Sequence, residues 1–238
     1  MQNNVPEIIN DLFNCDFSKI PQTILKDDFM LRTKHGFEFY SCIKRNTTSR
    51  HHFNACLETL TDHCTNSQIR STKTIRMTLQ MADKTLTLLP DLKIIYLVRD
   101  PRAVIQSRIS LNLVDDQNVA EESSQLCDRM EKDAELIEKS RNKNRIQIVQ
   151  YEHFAKNTVS IAKDIFKFLD YGIDPDVLQW IKANSVRSVN RNPFSTSRNS
   201  ERSINKWISK ISSETAKQID KVCDKLYNKY GYKSFDEI

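Results

Sequence analysis

The sequence predicts an α/β fold in which a parallel sheet is flanked by helices. Residues 94–98 form a continuous apolar run, which is typical of a strand buried on both faces. Residues 145–151 alternate between apolar and polar side chains, as a second strand would. Helical patterns follow both segments, and strands that alternate with helices indicate a parallel sheet covered on both faces.

The N-terminal third of the sequence gives weaker signals. Residues 1–13 predict a helix with one apolar face. Residues 14–68 show little periodicity, and we interpret them as an irregular insertion that carries cysteines. A short strand is expected over residues 69–75, with Lys73 near its end, and residues 77–89 predict a helix that stops before a proline.

The remaining sequence is easier to interpret. Helices are predicted over residues 101–113, 119–140, 158–170 and 213–230. Asp174 and Pro175 suit the start of another short helix, and Gly172 and Gly231 suit the ends of the helices before them. Residues 185–206 are interpreted as a basic loop rich in Ser, Asn and Arg. At 238 residues, one domain is the simplest count.

Residues 93–108 carry the strongest chemical signal. Asp100 is a good N-cap, and Pro101 suits the first helical position. Arg99, Arg102 and Ser107 therefore gather around a strand end and a helix start, where backbone N–H groups and the helix dipole favour an anion. Arginine adds permanently charged, bidentate donors for phosphate. The segment predicts a phosphate-binding βα unit.

The same segment, KIIYLVRDPRAVIQSR, resembles the 3′-phosphate-binding motif of Golgi carbohydrate sulfotransferases. It is most similar to the group that sulfates the 6-hydroxyl of N-acetylglucosamine, galactose or N-acetylgalactosamine. These enzymes use 3′-phosphoadenosine-5′-phosphosulfate (PAPS) as donor. Weaker matches lie at residues 12–18, 73–77, 151–152, 197–200, 207 and 231–232.

The resemblance assigns roles to single residues. Arg99 and Ser107 occupy the positions that hold the 3′-phosphate of PAPS, and Arg102 is a further candidate there. Arg198 lies in the loop that closes over the 3′-phosphate end of the donor. Lys73 is the candidate catalytic residue, because a lysine beyond a strand end could neutralise charge on the transferring sulfuryl group.

Each of these assignments has a structural alternative. Arg99 could form a structural ion pair with Asp100 or another carboxylate, and Arg102 could be a solvated helix residue. Lys73 could be an ordinary surface lysine, and Arg198 could belong to an exposed basic loop.

One element of the resembling enzymes has no counterpart in the sequence. Their catalytic domain begins with a strand, a phosphosulfate loop that reads R-[ST]-G-S-S-F, and a helix. A loop that wraps phosphate normally needs glycine, and none of the three glycines opens a helix after an apolar strand. The sequence therefore predicts a P-loop-like sulfotransferase fold that lacks its first βα unit, as a single incomplete domain over residues 1–238.

The resemblance implies a PAPS-dependent carbohydrate O-sulfotransferase. The acceptor would be a sugar hydroxyl, expected at the 6-position, of a glycan or glycosaminoglycan, and no metal is required. Glu152 and His153 are candidate bases by position, although the resemblance favours a structural role for the acidic residue. The alternative is an inactive pseudoenzyme or fragment that keeps only the 3′-phosphate half-site. A kinase is disfavoured because no GxxxxGK[ST] loop occurs.

Location and partners follow from the same resemblance. It implies the Golgi lumen, with membrane attachment only through an N-terminal anchor that the sequence does not contain, since no run of about twenty apolar residues occurs. The net charge of +5 favours anionic ligands. Nucleic acid is not expected as a partner, because a basic loop without a series of interleaved aromatic residues is poor evidence for nucleic-acid binding.

The six cysteines contain no CxxC pair. An even number in a secretory-pathway enzyme suggests disulfides, whose pairing the sequence does not assign, and the alternative is a cytosolic protein with buried thiols. Cys56, His63 and Cys64 lie close together but match no regular zinc spacing, so no metal site is predicted. His35, His51, His52 and His63 are interpreted as loop residues.

Overall fold

A computed structural model describes residues 5–27, 33–46, 49–75, 77–186 and 199–238. The chain divides into two compact units, Met1–Asp91 and Leu92–Ile238, and each buries its own apolar cluster. The structure thus has two cores where the sequence suggested one domain, and the single-domain count stays a prediction.

The first unit is helical. Its α-helices are α1 (Val5–Phe13), α2 (Gln22–Leu25), α3 (Lys34–Arg45), α4 (Arg50–Thr65) and α5 (Leu79–Leu88). Side-chain oxygens start three of them, because the hydroxyls of Thr33, Ser49 and Thr78 accept backbone N–H groups in the first turns of α3, α4 and α5.

The sequence suggested that residues 14–68 are irregular, and this prediction is wrong, because α2, α3 and α4 lie within them. Phe39 and Ile43 are buried one turn apart on α3, and Cys56 and Leu60 are buried one turn apart on α4. This apolar stripe is narrow and includes cysteine, so its helical period is weak in the sequence.

Disulfides explain how such a polar segment stays folded. Cys42 on α3 is bonded to Cys56 on α4, and Cys15 after α1 is bonded to Cys64 near the end of α4. Cross-links of this kind stabilise small cores, mainly by restricting the unfolded chain. The sequence-based expectation of disulfides is confirmed.

The strand expected over residues 69–75 is absent, and this part of the chain has no regular secondary structure. Ile69 and Ile75 are both exposed, so the apolar positions that suggested a strand do not enter a core. Arg70 instead donates to the backbone oxygen of Phe13 at 2.7 Å. Lys73 is exposed within this segment.

The second unit contains the sheet. Its strands are β1 (Ile94–Val98) and β2 (Ile146–Gln150), and its α-helices are α6 (Pro101–Ile109), α7 (Val119–Lys139), α8 (Tyr151–Lys156), α9 (Thr158–Phe168), α10 (Pro175–Ser185) and α11 (Ser213–Tyr230). The strands pair in parallel, from Ile94 with Ile146 to Val98 with Gln150. The parallel α/β arrangement is confirmed, although the described sheet has two strands and most of the chain is helical.

The core of the second unit lies between α6, α7 and α11. A disulfide joins Cys127 on α7 to Cys223 on α11, and both side chains are fully buried. It closes a sequence separation of 96 residues, for which the chain-entropy account gives a stabilisation of roughly 4–5 kcal/mol.

Helix ends mostly follow the expected chemistry. Asp174 caps α10 with Pro175 at its first position, and Gly231 ends α11 with a left-handed φ of 72°. The end of α9 differs from the prediction, because the left-handed residue is Asp170, with φ of 55°, and not Gly172. Within the part of the chain that the structure describes, no helix is both long and apolar enough to cross a bilayer.

Candidate functional site

The candidate site lies at the carboxyl ends of the two strands. Arg99 follows β1 and Tyr151 follows β2, and parallel strands bring these ends to the same edge of the sheet. The guanidinium carbon of Arg99 lies 4.3 Å from the centroid of the Tyr151 ring. Stacking on a ring face holds the cation in place and leaves its N–H edge available to an anion.

Arg99 has an incomplete set of hydrogen bonds. Its Nη2 donates to the backbone oxygen of Ser203 over a long 3.4 Å. Its Nε is buried and has no hydrogen-bond partner among the described residues. A buried donor without a partner is costly, so this nitrogen is the feature that most directly indicates a bound acceptor.

The start of α6 has the predicted cap. Asp100 accepts the backbone N–H of Arg102 at 2.9 Å, and Pro101 occupies the first helical position. The N–H of Asp100 donates to Glu152 at 3.0 Å. Because Pro101 has no N–H and these two amides are occupied, the helix start offers an anion less than the sequence suggested.

Arg102 has the opposite environment to Arg99. Its Nε and Nη2 bind the Asp100 carboxylate at 3.0 and 2.8 Å, and its Nη1 binds Asp220 at 3.1 Å. Its side chain is 1% exposed and lies between the rings of Trp207 and Tyr227, at 4.7 and 4.8 Å. This geometry does not support the predicted donor-binding role, because the guanidinium already faces two carboxylates inside the core.

Asp220 extends this tie to the C-terminal segment. It also accepts the hydroxyl of Tyr227 at 2.7 Å and the backbone N–H of Phe235 at 2.6 Å. Burial, together with the bond to Asp220, raises the pKa of the Tyr227 hydroxyl far above its ordinary value. The Arg102 network therefore fixes α6 against α11.

Glu152 connects the strand ends. One of its oxygens accepts the N–H of Asp100, and the other accepts the Tyr232 hydroxyl at 3.1 Å. Burial, with the nearby Glu152 charge, raises the pKa of Tyr232 far above its ordinary value. Both carboxylate oxygens are engaged, so the geometry favours the structural role over the role of a base.

Ser107 lies on α6 seven residues after its N-cap, and its side chain is exposed. Its hydroxyl forms no hydrogen bond to another described residue, so it is open to a ligand. Arg108, next to it, contacts Glu122 at 3.3 Å. The phosphate-binding role of Ser107 stays a prediction.

The basic loop reaches the site through its described end. Ser200 donates its N–H to the backbone oxygen of Ser185 at 2.8 Å, which closes the base of the loop. A short 3₁₀ turn at Glu201–Ser203 then brings the Ser203 carbonyl to Arg99. Arg198 lies outside the described residues, so its predicted role is not placed.

Lys73 belongs to the first unit, whereas Arg99 and Ser107 belong to the second. Its exposure leaves the side chain accessible. Its catalytic role stays a prediction.

Sequence reasoning missed the contribution of Tyr151 to the site and the engagement of Arg102. The signal for Tyr151 was its position directly after the second strand. No comparable signal marked Asp220, which lies 118 residues from Arg102 in the chain.

A separate cleft of about 540 Å³ lies at the amino ends of the strands, opposite the Arg99 edge. Lys93, which precedes β1, pairs there with Asp170 and donates to the backbone oxygen of Phe168 at 2.7 Å. The cleft is lined by Lys93, Asn144, Arg145, Asp164, Lys167, Phe168 and Asp170. Its charges are mixed, so it is a weaker anion site than the strand end.

Comparisons with known proteins agree with the motif. Carbohydrate sulfotransferase 3 of Tetronarce californica is 29% identical over 161 residues, covering 60% of the chain and 36% of that relative. The same protein of Mus musculus is 29% identical over 161 residues, covering 60% of the chain and 34% of the relative. Carbohydrate sulfotransferase 1 of Mus musculus is 26% identical over 166 residues, covering 60% and 39%.

The chain spans little more than a third of the length of these curated relatives. No solved structure matches it. The family model described as "Sulfotransferase domain" matches residues 13–231, which run through both compact units and include the strand-end site. The resemblance stated from the sequence is confirmed, and the chain belongs to the sulfotransferase domain family.

Proposed function

We propose that this protein is a carbohydrate O-sulfotransferase and that its second unit binds the 3′-phosphate end of PAPS. The observation that carries the proposal is the buried, unpartnered Nε of Arg99, held over the Tyr151 ring at the carboxyl edge of the sheet. A phosphate oxygen is a suitable acceptor, because a charge-assisted bond would satisfy the orphaned donor.

The remaining contacts to the donor are assigned by position. Ser107 supplies an exposed hydroxyl on α6, and the loop around Arg198 closes over the same phosphate. Arg102 acts through Asp100 and α6, because it holds the helix that presents Ser107 and makes no direct contact with the donor.

The reaction is a transfer of a sulfuryl group to a sugar hydroxyl. The acceptor oxygen forms a bond to sulfur while the bond between sulfur and the 5′-phosphate oxygen of PAPS breaks, and adenosine 3′,5′-bisphosphate (PAP) leaves with the electron pair. The hydroxyl proton passes to a base. We propose Lys73 as the cation that stabilises charge on the leaving phosphate.

The acceptor class rests on the relatives, whose names specify carbohydrate. We propose a glycan or glycosaminoglycan acceptor and the 6-hydroxyl as the attacked position. A panel of desulfated glycosaminoglycans and simple sugars, with sulfate incorporation read by mass, tests the acceptor, and nuclear magnetic resonance of the sulfated product tests the position.

The Golgi lumen is the proposed location. Three disulfides join Cys15 with Cys64, Cys42 with Cys56, and Cys127 with Cys223. Structural disulfides form and persist in oxidising compartments, which supports a secretory-pathway protein over a cytosolic one.

The donor site is tested by calorimetric titration with PAP. Adenosine 5′-monophosphate is the ligand control because it lacks the 3′-phosphate. We expect PAP to bind more tightly than the monophosphate, and Arg99→Ala to weaken PAP on the order of 10- to 100-fold, the loss of one charged hydrogen bond. Arg141→Ala, at an exposed position, is the matched control and should leave PAP binding unchanged. Equal affinity for both ligands would contradict the proposal.

The alternative is a binding module without turnover. The backbone N–H groups of Asp100 and Arg102 are already bonded to Glu152 and Asp100, so donor binding by either kind of protein depends strongly on Arg99. A chain that binds PAP but transfers no sulfate to any sugar of the panel would be such a module.

A further inference from the structure

Two histidines and a glutamate meet in the first unit, outside the donor site. His35 and Glu38 lie one turn apart on α3, and His63 lies in the last turn of α4. The Nδ1 of His35 is 3.2 Å from the Oε2 of Glu38, and the Nε2 of His63 is 3.3 Å from the same oxygen. One ligand atom from each residue lies within 4.8 Å of the other two.

These distances match those between ligands of one metal ion. Two imidazole nitrogens and a carboxylate oxygen are a ligand set that zinc uses, at about 2.0–2.2 Å from the metal. In a tetrahedral site, such bonds place neighbouring ligand atoms roughly 3.3–3.5 Å apart. The two measured histidine–glutamate distances lie close to that spacing.

Ion pairs between the two histidines and Glu38 explain the cluster less well than a shared metal ion does. The two imidazole rings are stacked, with centroids 4.1 Å apart and planes inclined by 23°. If both rings were protonated to pair with Glu38, two positive charges would face each other at that distance. Two neutral rings that share a divalent cation with the carboxylate avoid this repulsion, once each ring has turned out of the stack to direct its in-plane nitrogen lone pair at the ion.

The two helices are held together independently of any metal. The bond between Cys42 and Cys56 joins α3 to α4, and Cys64, next to His63, is bonded to Cys15. The backbone positions of the three ligands are therefore fixed before binding, and the ordering that remains is the rotation of the three side chains.

The cluster is also accessible. The side chains of His35, Glu38 and His63 are 44%, 43% and 39% exposed. A metal can enter from solvent, and a fourth position remains for water, as in zinc sites with three protein ligands.

We propose that His35, Glu38 and His63 form a Zn²⁺-binding site that links α3 to the end of α4. The sequence predicted no metal site, because Cys56, His63 and Cys64 match no regular zinc spacing. The separations of 3 and 25 positions between His35, Glu38 and His63 match none either. The sequence had also placed the histidines in loops, whereas His35 lies on α3 and His51, His52 and His63 lie on α4.

A second cluster in the same unit defines the conditions of the test. Cys42, His52 and Cys56 also lie within reach of one ion, but the two sulfurs are bonded to each other. Thiolates that bind metal would arise there only after reduction. Zinc binding is therefore measured without reductant.

The test uses the full chain, free of any histidine tag and stripped of metal by a chelator. Zn²⁺ is titrated by calorimetry, and Co²⁺ is added separately to follow its visible absorption. We expect one zinc per chain and a higher melting temperature with zinc.

Substitutions assign the ligands. His63→Ala and Glu38→Gln should each weaken zinc by more than about 10-fold, the lower bound seen for residues that only support a ligand. His51→Ala, on the same helix and exposed, should bind zinc as the unsubstituted chain does.

Three outcomes would overturn the proposal. They are no saturable zinc binding by the folded chain, undiminished binding by His63→Ala, and loss of binding in His52→Ala in place of His63→Ala. Far-ultraviolet circular dichroism of each variant establishes that it is folded, and binding of PAP is read separately because it belongs to the other unit.

Discussion

Arg99 and Arg102 stand three residues apart in one motif, yet their surroundings are opposite. Arg102 is 1% exposed and faces the carboxylates of Asp100 and Asp220. Arg99 contacts a ring and a carbonyl, and its Nε lacks a partner among the described residues. The comparison shows that two arginines of one motif can have different roles. Carboxylates neutralise the charge of Arg102, whereas no ion pair with a described carboxylate neutralises that of Arg99.

The first prediction concerns Arg102, the buried arginine of this pair. Arg102→Ala leaves the buried Asp100 and the partly buried Asp220 without their cation, so the free energy of unfolding should fall by about 3–5 kcal/mol. Urea unfolding followed by tryptophan fluorescence measures this, because Trp180 and Trp207 both lie in the second unit. Arg99→Ala is the paired variant and should change the unfolding free energy by less than about 1 kcal/mol. Equal losses in the two variants would break the comparison.

Glu152 provides the second prediction, because it holds the two strand ends together. Glu152→Gln keeps the shape but turns an amide donor toward either the Asp100 N–H or the Tyr232 hydroxyl. We expect a loss of about 1–3 kcal/mol in the free energy of unfolding, the cost of a buried polar group left unpaired.

The control for Glu152 is Glu135→Gln. Glu135 pairs with Lys139 at 3.4 Å on the surface of α7, with both side chains largely exposed, and an exposed pair of this kind contributes only about 0.3–0.5 kcal/mol. A Glu152 variant as stable as this control would show that the strand ends do not depend on the carboxylate.

The third prediction concerns Arg99 and the Tyr151 ring that it contacts, and it rests on the proposed function. Tyr151→Leu removes the ring under Arg99, so PAP should bind about 2- to 5-fold more weakly, the value of an exposed cation–π contact. Tyr151→Phe keeps the ring and should bind PAP as the unsubstituted chain does. If both variants bind equally, the ring does not position Arg99.

The sequence predicted the elements whose signals are local. The strand Ile94–Val98, the cap of α6 by Asp100, and the end of α11 at Gly231 each depend on neighbouring residues, and all three are confirmed. The predicted burial of this strand on both faces is wrong for the described chain, because Ile95 and Leu97 are exposed. The helices α3 and α4 were missed because disulfides and a narrow stripe of buried residues, and not a wide apolar face, hold them.

In the candidate site, too, local features could be predicted from the sequence and long-range contacts could not. Arg99 could be named from the motif, because a strand end and a helix start are local features. The fate of Arg102 could not, because Asp220 comes from α11, more than a hundred residues later. Local chemistry indicated where the charges lie, and long-range packing decided which charge is neutralised.

The last prediction uses another buried atom without a described partner, the hydroxyl of Tyr230. Burial, with the nearby carboxylates of Asp133 and Glu138, raises the pKa of Tyr230 to about 12, whereas the phenol of an unfolded chain has a pKa near 10. Between these values the folded state binds more protons than the unfolded state, so the free energy of unfolding falls as pH rises from about 10 to about 12.

Tyr230→Phe should make this fall with pH shallower. It should leave the free energy of unfolding at pH 7 unchanged or slightly higher, because no hydrogen bond to a described residue is lost. Urea unfolding of both chains at pH 7 and at pH 10.5 measures the difference. Since no ligand is expected at this hydroxyl, PAP should raise the melting temperature of Tyr230→Phe as much as that of the unsubstituted chain. Arg99→Ala should differ, because it removes the unpaired donor that we propose as the ligand contact.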